Sequence, residues 1–370
     1  MNPVRLPPNS QVLVVVLRRL GDVLLTTPLI RSLKEAYPQA SIDALVFAGT
    51  EGILNGNPDL RRIITIPQRP RFSETLLLMA RLFRRYDLAL SVQTGDRPTA
   101  LAVIAGRQSA GLIEAGESAA VVKRLVLGRA CVSDRHRHRV ADILSLADSL
   151  GIPPHSEIVC SVGAARSPLA PAPPYAVVHA APKFVYKRWT AAGWRALAAA
   201  LRERGLVIAV TGAAGDRAYL DDVWRHAEAV RLDGKLTWPE LSALLAGACV
   251  YVGPDTAVTH LAAAAGAPTV ALYGPTDPRL WGPWPFGGLD RPWDAAGTIQ
   301  RRRNVWLVQN PLPCLPCQLE GCERRLDSHS QCLDELTAGQ VLSAVDQALK
   351  HDRAEWIPDF RSDRVQTTAS

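Results

Sequence analysis

Short runs of consecutive apolar residues alternate with segments of helical periodicity along most of this chain, and this alternation limits the possible fold more than any other feature. The run at 11–17 is the first of the series, and a run at 269–273 is among the last. Uninterrupted apolar strands are typical of parallel sheets, because helices cover both faces of such sheets. Since parallel neighbours need crossover helices, the pattern predicts an α/β fold built on parallel sheets.

A segment rich in proline and alanine at 164–174 separates two halves that share this architecture. Proline fixes φ and lacks an amide hydrogen, so the segment is unsuited to a helix interior or a central strand. A chain of 370 residues is also larger than a single hydrophobic core usually supports. The predicted divisions are an N-terminal Rossmann-like domain, an extended linker, a C-terminal Rossmann-like domain and a tail, over residues 1–165, 166–174, 175–350 and 351–370 respectively.

Basic residues outnumber acidic ones and give a formal net charge of +7 at pH 7. This excess favours anionic partners such as nucleotide sugars, phosphorylated lipids, membrane surfaces or nucleic acids, although a solvated basic surface also explains it. No recognisable nucleic-acid-binding motif accompanies the charge, so we expect no nucleic-acid partner and keep a nucleic-acid-binding protein only as a remote alternative. Because the sequence has no apolar run of about 20 residues and no signal-peptide pattern, we predict a cytoplasmic protein with peripheral contact at the inner face of the inner membrane.

Gly-Pro turns follow two successive strands predicted in the second half of the chain. In the first turn Asp255 or Thr256 would cap the next helix, whose free amides attract phosphate, and His260 lies one helical turn further on. The second turn carries Thr276. Each turn alone is explained by ordinary helix capping. Ligands of open α/β sheets bind outside the carboxyl ends of the strands, however, so the pair of turns predicts a site for a phosphorylated ligand.

Two earlier strands of the second half also end in polar residues. Lys183 and Lys187 follow the strand predicted at 175–179, and a lysine beside a diphosphate leaving group offsets its developing negative charge. The alternative for this segment is a solvated basic loop. Gly212 and Asp216 follow the next strand, where the carboxylate would either accept from ribose hydroxyls or cap a helix.

The first half has one comparable loop, which follows the strand at 11–17 and contains Arg18, Arg19 and Asp22. Asp22 is placed at the start of a helix predicted from Val23 to about Tyr37. As a structural residue it would be favoured there by the helix dipole. As a functional residue it would be a general base for a hydroxyl group.

Four of the seven cysteines lie close together near the end of the chain, at Cys314, Cys317, Cys322 and Cys332. The first pair has the spacing of a metal knuckle, and four thiolates suit tetrahedral zinc. Two disulfides, or free thiols in a cysteine-rich loop, are the alternatives. We predict no metal or cofactor for catalysis, and structural zinc as the possible use of this segment.

Four segments of the chain, in this order, resemble one known family. They read VVVLRRLGDVLLTTP at 14–28, KRW at 187–189, and GPDTAVTHL at 253–261 followed by LYGPTDP at 272–278. This set is similar to the signatures of the lipopolysaccharide heptosyltransferases, glycosyltransferase family 9. The resemblance implies a GT-B fold, in which two Rossmann-like domains face a central cleft, with the acceptor bound by the first half and an ADP-sugar by the second.

The resemblance also implies a reaction, which is the inverting, metal-independent transfer of heptose from ADP-heptose to the inner core of lipopolysaccharide. Asp22 would be the base, Lys187 and Thr256 would contact the diphosphate, and Asp255 and His260 would lie beside the donor. Gly212, Asp216 and Thr276 would complete the donor site. The basic residues Arg18, Arg19 and Lys183 would bind phosphates or carboxylates of the lipid-linked oligosaccharide acceptor. Ala257 stands where many members have glycine, so a different nucleotide sugar or acceptor is the alternative.

Overall fold

The computed structural model divides into two compact units, unit 1 over Met1–Val162 and unit 2 over Gly163–Ser370. The described residues are 3–116, 118–161, 166–225 and 227–357. The start of the proline- and alanine-rich segment and the predicted tail from residue 358 onward lie outside these ranges. Within them, no helix is both long and apolar enough to cross a membrane.

Unit 1 is built on a parallel sheet. Its described strands are β1 (Gln11–Val16), β2 (Ser41–Phe47), β3 (Leu60–Ile66), β4 (Tyr86–Ser91), β5 (Gly106–Ile113) and β6 (Arg129–Val132). They pair in the order β3-β2-β1-β4-β5-β6, and all of these pairs are parallel. This is the strand order of the Rossmann fold, in which the chain reverses direction along the sheet between β1 and β4.

The helices of unit 1 cover this sheet and confirm the predicted α/β class. They are α1 (Leu20–Leu24), α2 (Thr27–Ala36), α3 (Phe72–Leu82), α4 (Asp96–Ala105), α5 (Ser118–Val126) and α6 (Arg139–Leu150). The single helix predicted from Val23 to Tyr37 is wrong, because the chain forms α1 and α2 instead. Pro28 has no amide to donate to the Leu24 carbonyl, which accepts from the Thr27 hydroxyl at 2.8 Å.

Unit 2 repeats this architecture with one added edge strand. Its described strands are β7 (Tyr175–His179), β8 (Val207–Thr211), β9 (Val230–Arg231), β10 (Val250–Pro254), β11 (Thr269–Leu272), β12 (Ile299–Arg302) and β13 (Val305–Val308). They pair in the order β12-β13-β11-β10-β7-β8-β9, in which only the β12–β13 pair is antiparallel. The direction along this sheet reverses between β7 and β10.

The helices of unit 2 are α7 (Ala191–Glu203), α8 (Arg217–Val223), α9 (Trp238–Gly247), α10 (Ala257–Ala264), α11 (Pro278–Trp281), α12 (Gln331–Asp334) and α13 (Ala338–Lys350). Residues 351–357, which the sequence pattern assigns to the tail, pack on this unit. Trp356 is buried there, and its indole donates to the Gly266 carbonyl at 3.1 Å.

The β12–β13 hairpin lies inside a stretch, 274–316, that looks irregular in the sequence. Its turn is formed by Arg303, at a φ of +48°, and Asn304. The Asn304 side chain is buried and donates to the carbonyls of Ala263 and Ala267 at 2.9 and 2.8 Å. Asparagine is suited to such a turn because its short side-chain amide forms hydrogen bonds with nearby backbone groups.

Candidate functional site

The carboxyl edge of the unit 2 sheet brings several of the predicted donor-site residues into contact where the sheet changes direction. Lys187 forms an ion pair with Asp255, which follows β10 directly. Thr276, which follows β11, donates its hydroxyl proton to the same carboxylate at 2.7 Å. Tyr273 lies beside them, with its hydroxyl 3.4 Å from the other oxygen of Asp255. Three strand ends therefore meet at one charged cluster, as ligand sites of open α/β sheets do.

The electrostatics of this cluster keep Asp255 ionised. Burial disfavours its charged form and raises its pKa. The charge of Lys187 and the neighbouring His260, with hydrogen bonds from Lys187 and Thr276, outweigh burial, so the pKa of the carboxyl is lowered. Lys187 is 19% exposed at the side chain and Asp255 is 10% exposed. The ammonium group has three protons, so it is able to bind both Asp255 and a second anion.

The helix α10 begins beside this cluster. Thr256 is its N-cap residue, and the Thr256 hydroxyl accepts from the Thr259 amide at 3.4 Å. His260 is buried one turn on, and burial lowers its pKa to about 4 although the Asp255 charge opposes that shift. The imidazole is therefore neutral near pH 7, and its Nδ1 atom is buried with no hydrogen-bond partner in the described part of the chain.

The end of β8 places Gly212 and Asp216 in a tight turn. The Asp216 carboxylate accepts from the Ala213 amide at 2.8 Å, which is the capping role that the sequence left open. A methyl group at Gly212 would come within 2.7 Å of the Leu220 side chain, so a larger residue there would force Leu220 to shift. Lys183 is exposed in the loop after β7, with its ammonium 5.8 Å from the Phe184 ring centre.

In unit 1, the loop after β1 presents a partly buried carboxylate among cations. Asp22 lies in α1, and Arg18 and Arg19 precede it on the exposed side of the loop. Burial raises the pKa of the Asp22 carboxyl, although the charges of Arg139, Arg18 and Arg19 act in the opposite direction. The Oδ1 atom of Asp22 is buried and has no hydrogen-bond partner within the described residues. A carboxylate with a raised pKa and a free oxygen is suited to proton abstraction.

Two residues that sequence reasoning did not select complete this part of unit 1. Arg139 begins α6, donates to the Val92 carbonyl at 2.6 Å and pairs with Asp142 at 3.0 Å. The Val92 amide in turn bonds the Val15 carbonyl at 3.3 Å, so Arg139 reaches the point where β1 and β4 lie side by side.

Gln93, the next residue after Val92, has a buried side-chain amide nitrogen without a hydrogen-bond partner among the residues described. The Nε atom of Arg139 is also buried without a partner among those residues. Buried polar atoms without partners are rare and often mark a ligand site. The position of Gln93 directly after a predicted strand was a usable signal. Nothing in the sequence links Arg139 to Asp22.

The cysteine segment of unit 2 contains free thiols. Cys332 is buried, Cys317 is half-buried, and Cys314 and Cys322 are exposed. Burial raises the pKa of the Cys332 thiol to about 12, with a contribution from the other three cysteines. The described residues include no group of three or more His, Cys, Asp or Glu side chains that could hold a metal ion. Structural zinc therefore stays a prediction, for which metal analysis of the purified protein is the test.

Comparison with known proteins assigns the chain to a protein family. A model of glycosyltransferase family 9 (heptosyltransferase) matches residues 76–286, which is more than half of the chain. The chain belongs to this family. Lipopolysaccharide heptosyltransferase 3 of Escherichia coli (strain K12) is 27% identical to it over 354 residues, which cover 90% of this chain and 96% of that protein. The family resemblance carried by the four sequence segments is confirmed, and this family member is a glycosyltransferase.

Two solved structures show the fold of the family. The E. coli heptosyltransferase WaaC with ADP has a TM-score of 0.71 and 23% identity, and the match covers 91% of this chain and 99% of that one. The same enzyme with ADP-2-deoxy-2-fluoro heptose has a TM-score of 0.69 and 22% identity, with the same coverage of 91% and 99%. Together with the two Rossmann-like units, these matches confirm the GT-B fold predicted for this family member.

Proposed function

We propose that this glycosyltransferase moves heptose from ADP-heptose to a sugar hydroxyl of the lipopolysaccharide inner core, with inversion and without a catalytic metal. The observation that carries the proposal is the cluster of Lys187, Asp255 and Thr276 at the head of α10. A partly buried cation beside the free amides of a helix N-terminus suits a diphosphate. The name of the E. coli relative supports lipopolysaccharide as the acceptor, and the solved complex with a fluorinated ADP-heptose supports the donor.

In the proposed reaction, an acceptor hydroxyl oxygen attacks the anomeric carbon of the donor and forms the new glycosidic bond. The bond from that carbon to the diphosphate oxygen breaks, and its electron pair leaves with ADP. Asp22 takes the hydroxyl proton, while Lys187 and the first turn of α10, with Thr256, stabilise the charge that develops on the leaving diphosphate. Attack from the face opposite the leaving group inverts the anomeric centre.

The acceptor side of the proposed site is formed by unit 1. Arg18 and Arg19 are exposed beside Asp22, and guanidinium groups bind phosphate or carboxylate in a bidentate manner. Gln93 and Arg139 add unpartnered donors at the same sheet edge. A lipid-linked acceptor requires the enzyme to work at a membrane surface, so we place it in the cytoplasm at the inner face of the inner membrane.

Arg139 is proposed as a positioning residue that tunes Asp22. Its charge lowers the Asp22 pKa against the effect of burial, so Arg139→Gln is expected to raise that pKa further. Because the base must be ionised, activity is lost as pH falls through the Asp22 pKa, and the acid limb of the kcat/KM profile should move to higher pH in the variant. Arg137→Gln, which removes an exposed charge nearby, should leave the limb in place. Identical acid limbs for wild type and Arg139→Gln would refute the tuning role.

The donor assignment is tested by titrating the purified protein with ADP-heptose and with other nucleotide sugars, with the heat of binding as the signal. We expect ADP-heptose to bind most tightly. Tighter binding of another nucleotide sugar would favour the alternative of a different donor, which Ala257 suggests. Product analysis by NMR decides the stereochemistry, and retained activity in the presence of a strong chelator is expected for a metal-independent transfer.

A further inference from the structure

The helix α5 of unit 1 buries a lysine and exposes apolar residues, which is the reverse of the usual arrangement. Lys123 on this helix is buried and pairs with Asp96 at 2.7 Å. Val121, Val122 and Leu125 of the same helix are 62%, 60% and 80% exposed. Surface helices ordinarily bury their apolar face and expose their lysines. Among the described residues, this helix therefore exposes an apolar face and buries its lysine.

The helix α3 has a similar uncovered face. Phe72, at its start, is 84% exposed, and Leu76 and Leu77 are 57% and 52% exposed. Leu82 is the one residue of this helix that is fully buried. Single exposed apolar residues are common on proteins, but a run of them with a phenylalanine at its tip marks an interaction site.

The two helices belong to one layer of unit 1. The crossovers that contain α3, α4 and α5 step in the same direction along the sheet, so right-handed connections place all three on the same face. α3 packs against α4, and Lys123 of α5 binds Asp96, the first residue of α4. The exposed apolar residues thus flank α4 on one side of the sheet.

The surroundings of α3 are strongly basic. Residues 69–85 contain five arginines and one acid, Glu74, so the segment has a net charge of +4. The arginines are all exposed; they are Arg69, Arg71, Arg81, Arg84 and Arg85. Helices with an apolar face and flanking basic residues bind in the interface of anionic bilayers.

We propose that the α3–α5 surface, formed by Phe72, Leu76, Leu77, Val121, Val122 and Leu125, docks on an anionic phospholipid bilayer. The apolar side chains insert at the boundary between headgroups and acyl chains, and the arginines contact the lipid phosphates. The proposal rests on the proposed function in one respect, because a lipid-linked acceptor gives the enzyme a reason to be at the membrane. A second copy of the chain is a poorer occupant, since symmetric pairing of this face would bring two arginine-rich segments together.

The test is sedimentation of the full chain with vesicles of phosphatidylethanolamine and phosphatidylglycerol, and separately with vesicles of phosphatidylcholine. We expect binding to the anionic vesicles that weakens as salt is raised, because the arginine contacts are screened. The double variant Phe72→Ser/Leu125→Ser is expected to lower the partition coefficient about tenfold or more. Both residues are exposed, so the fold should persist, which thermal unfolding checks.

Leu169→Ser/Leu326→Ser is the matched control, since both leucines are 48% exposed and lie in unit 2. Equal binding of the two double variants would overturn the proposal, and so would absence of wild-type binding to anionic vesicles. If the wild type is a dimer and the Phe72→Ser/Leu125→Ser variant is a monomer, the surface is a dimer interface and the membrane proposal is wrong. ADP-heptose binding is measured on the same preparations to separate the two proposals. Vesicle binding without donor binding would refute only the donor assignment. Donor binding without vesicle binding would refute only the docking surface.

Discussion

Replacing Asp22 with Asn is expected to lower kcat about 10²-fold or more, with binding of ADP-heptose largely intact. The amide keeps the shape of the carboxylate but cannot accept a proton from the acceptor hydroxyl. The wild-type carboxyl is prepared for that step, because burial raises its pKa and one of its oxygens is buried without a partner in the described structure. Steady-state kinetics with saturating donor and acceptor give kcat, and calorimetry gives the donor affinity.

Asp148→Asn is the matched control for this change, since Asp148 is an exposed acid on α6. Its turnover should equal that of the wild type. Near-normal turnover of Asp22→Asn would remove Asp22 as the base. A variant that loses donor affinity in proportion to turnover would instead make Asp22 a binding residue.

Replacing Lys187 with Met is expected to lower kcat/KM for ADP-heptose by about 10²- to 10³-fold. Methionine keeps the length of the side chain but removes the only cation that contacts Asp255 in the described residues. The change thus takes a positive charge from the proposed diphosphate site and leaves a buried carboxylate there. Initial rates at varied donor concentration measure the effect, and thermal unfolding shows whether the variant is folded.

A double variant separates the two roles of Lys187. If the lysine only neutralised Asp255, Lys187→Met/Asp255→Asn would restore donor binding, because no uncompensated charge remains. Under the present proposal the double variant stays impaired, since the diphosphate still lacks its cation. Lys350→Met, at the exposed end of α13, is the control for loss of one positive charge and should behave as the wild type.

The local patterns of the chain were enough to locate much of the candidate site. Asp22, Lys187, Asp255 and Thr276 were selected because the loops that follow buried strands lie at the carboxyl edge of a parallel sheet. Where local signals conflicted, the prediction was less successful. Pro28 interrupts the helix predicted to begin at Val23. The strands β12 and β13 were not predicted, because the charged residues of the turn between them made the segment look irregular.

The sequence by itself determined the fold class, the division into two halves and the placement of the predicted site residues at strand ends. Those features follow from hydrophobic periodicity, proline and glycine, which act over a few residues and can be read in one dimension. Only the tertiary structure decided that Lys187 pairs with Asp255, that the charge of Arg139 acts on the Asp22 carboxyl, and that α5 buries its lysine and exposes its valines. These depend on the order of the strands and on which helix face meets the sheet, and such contacts join residues far apart in the chain.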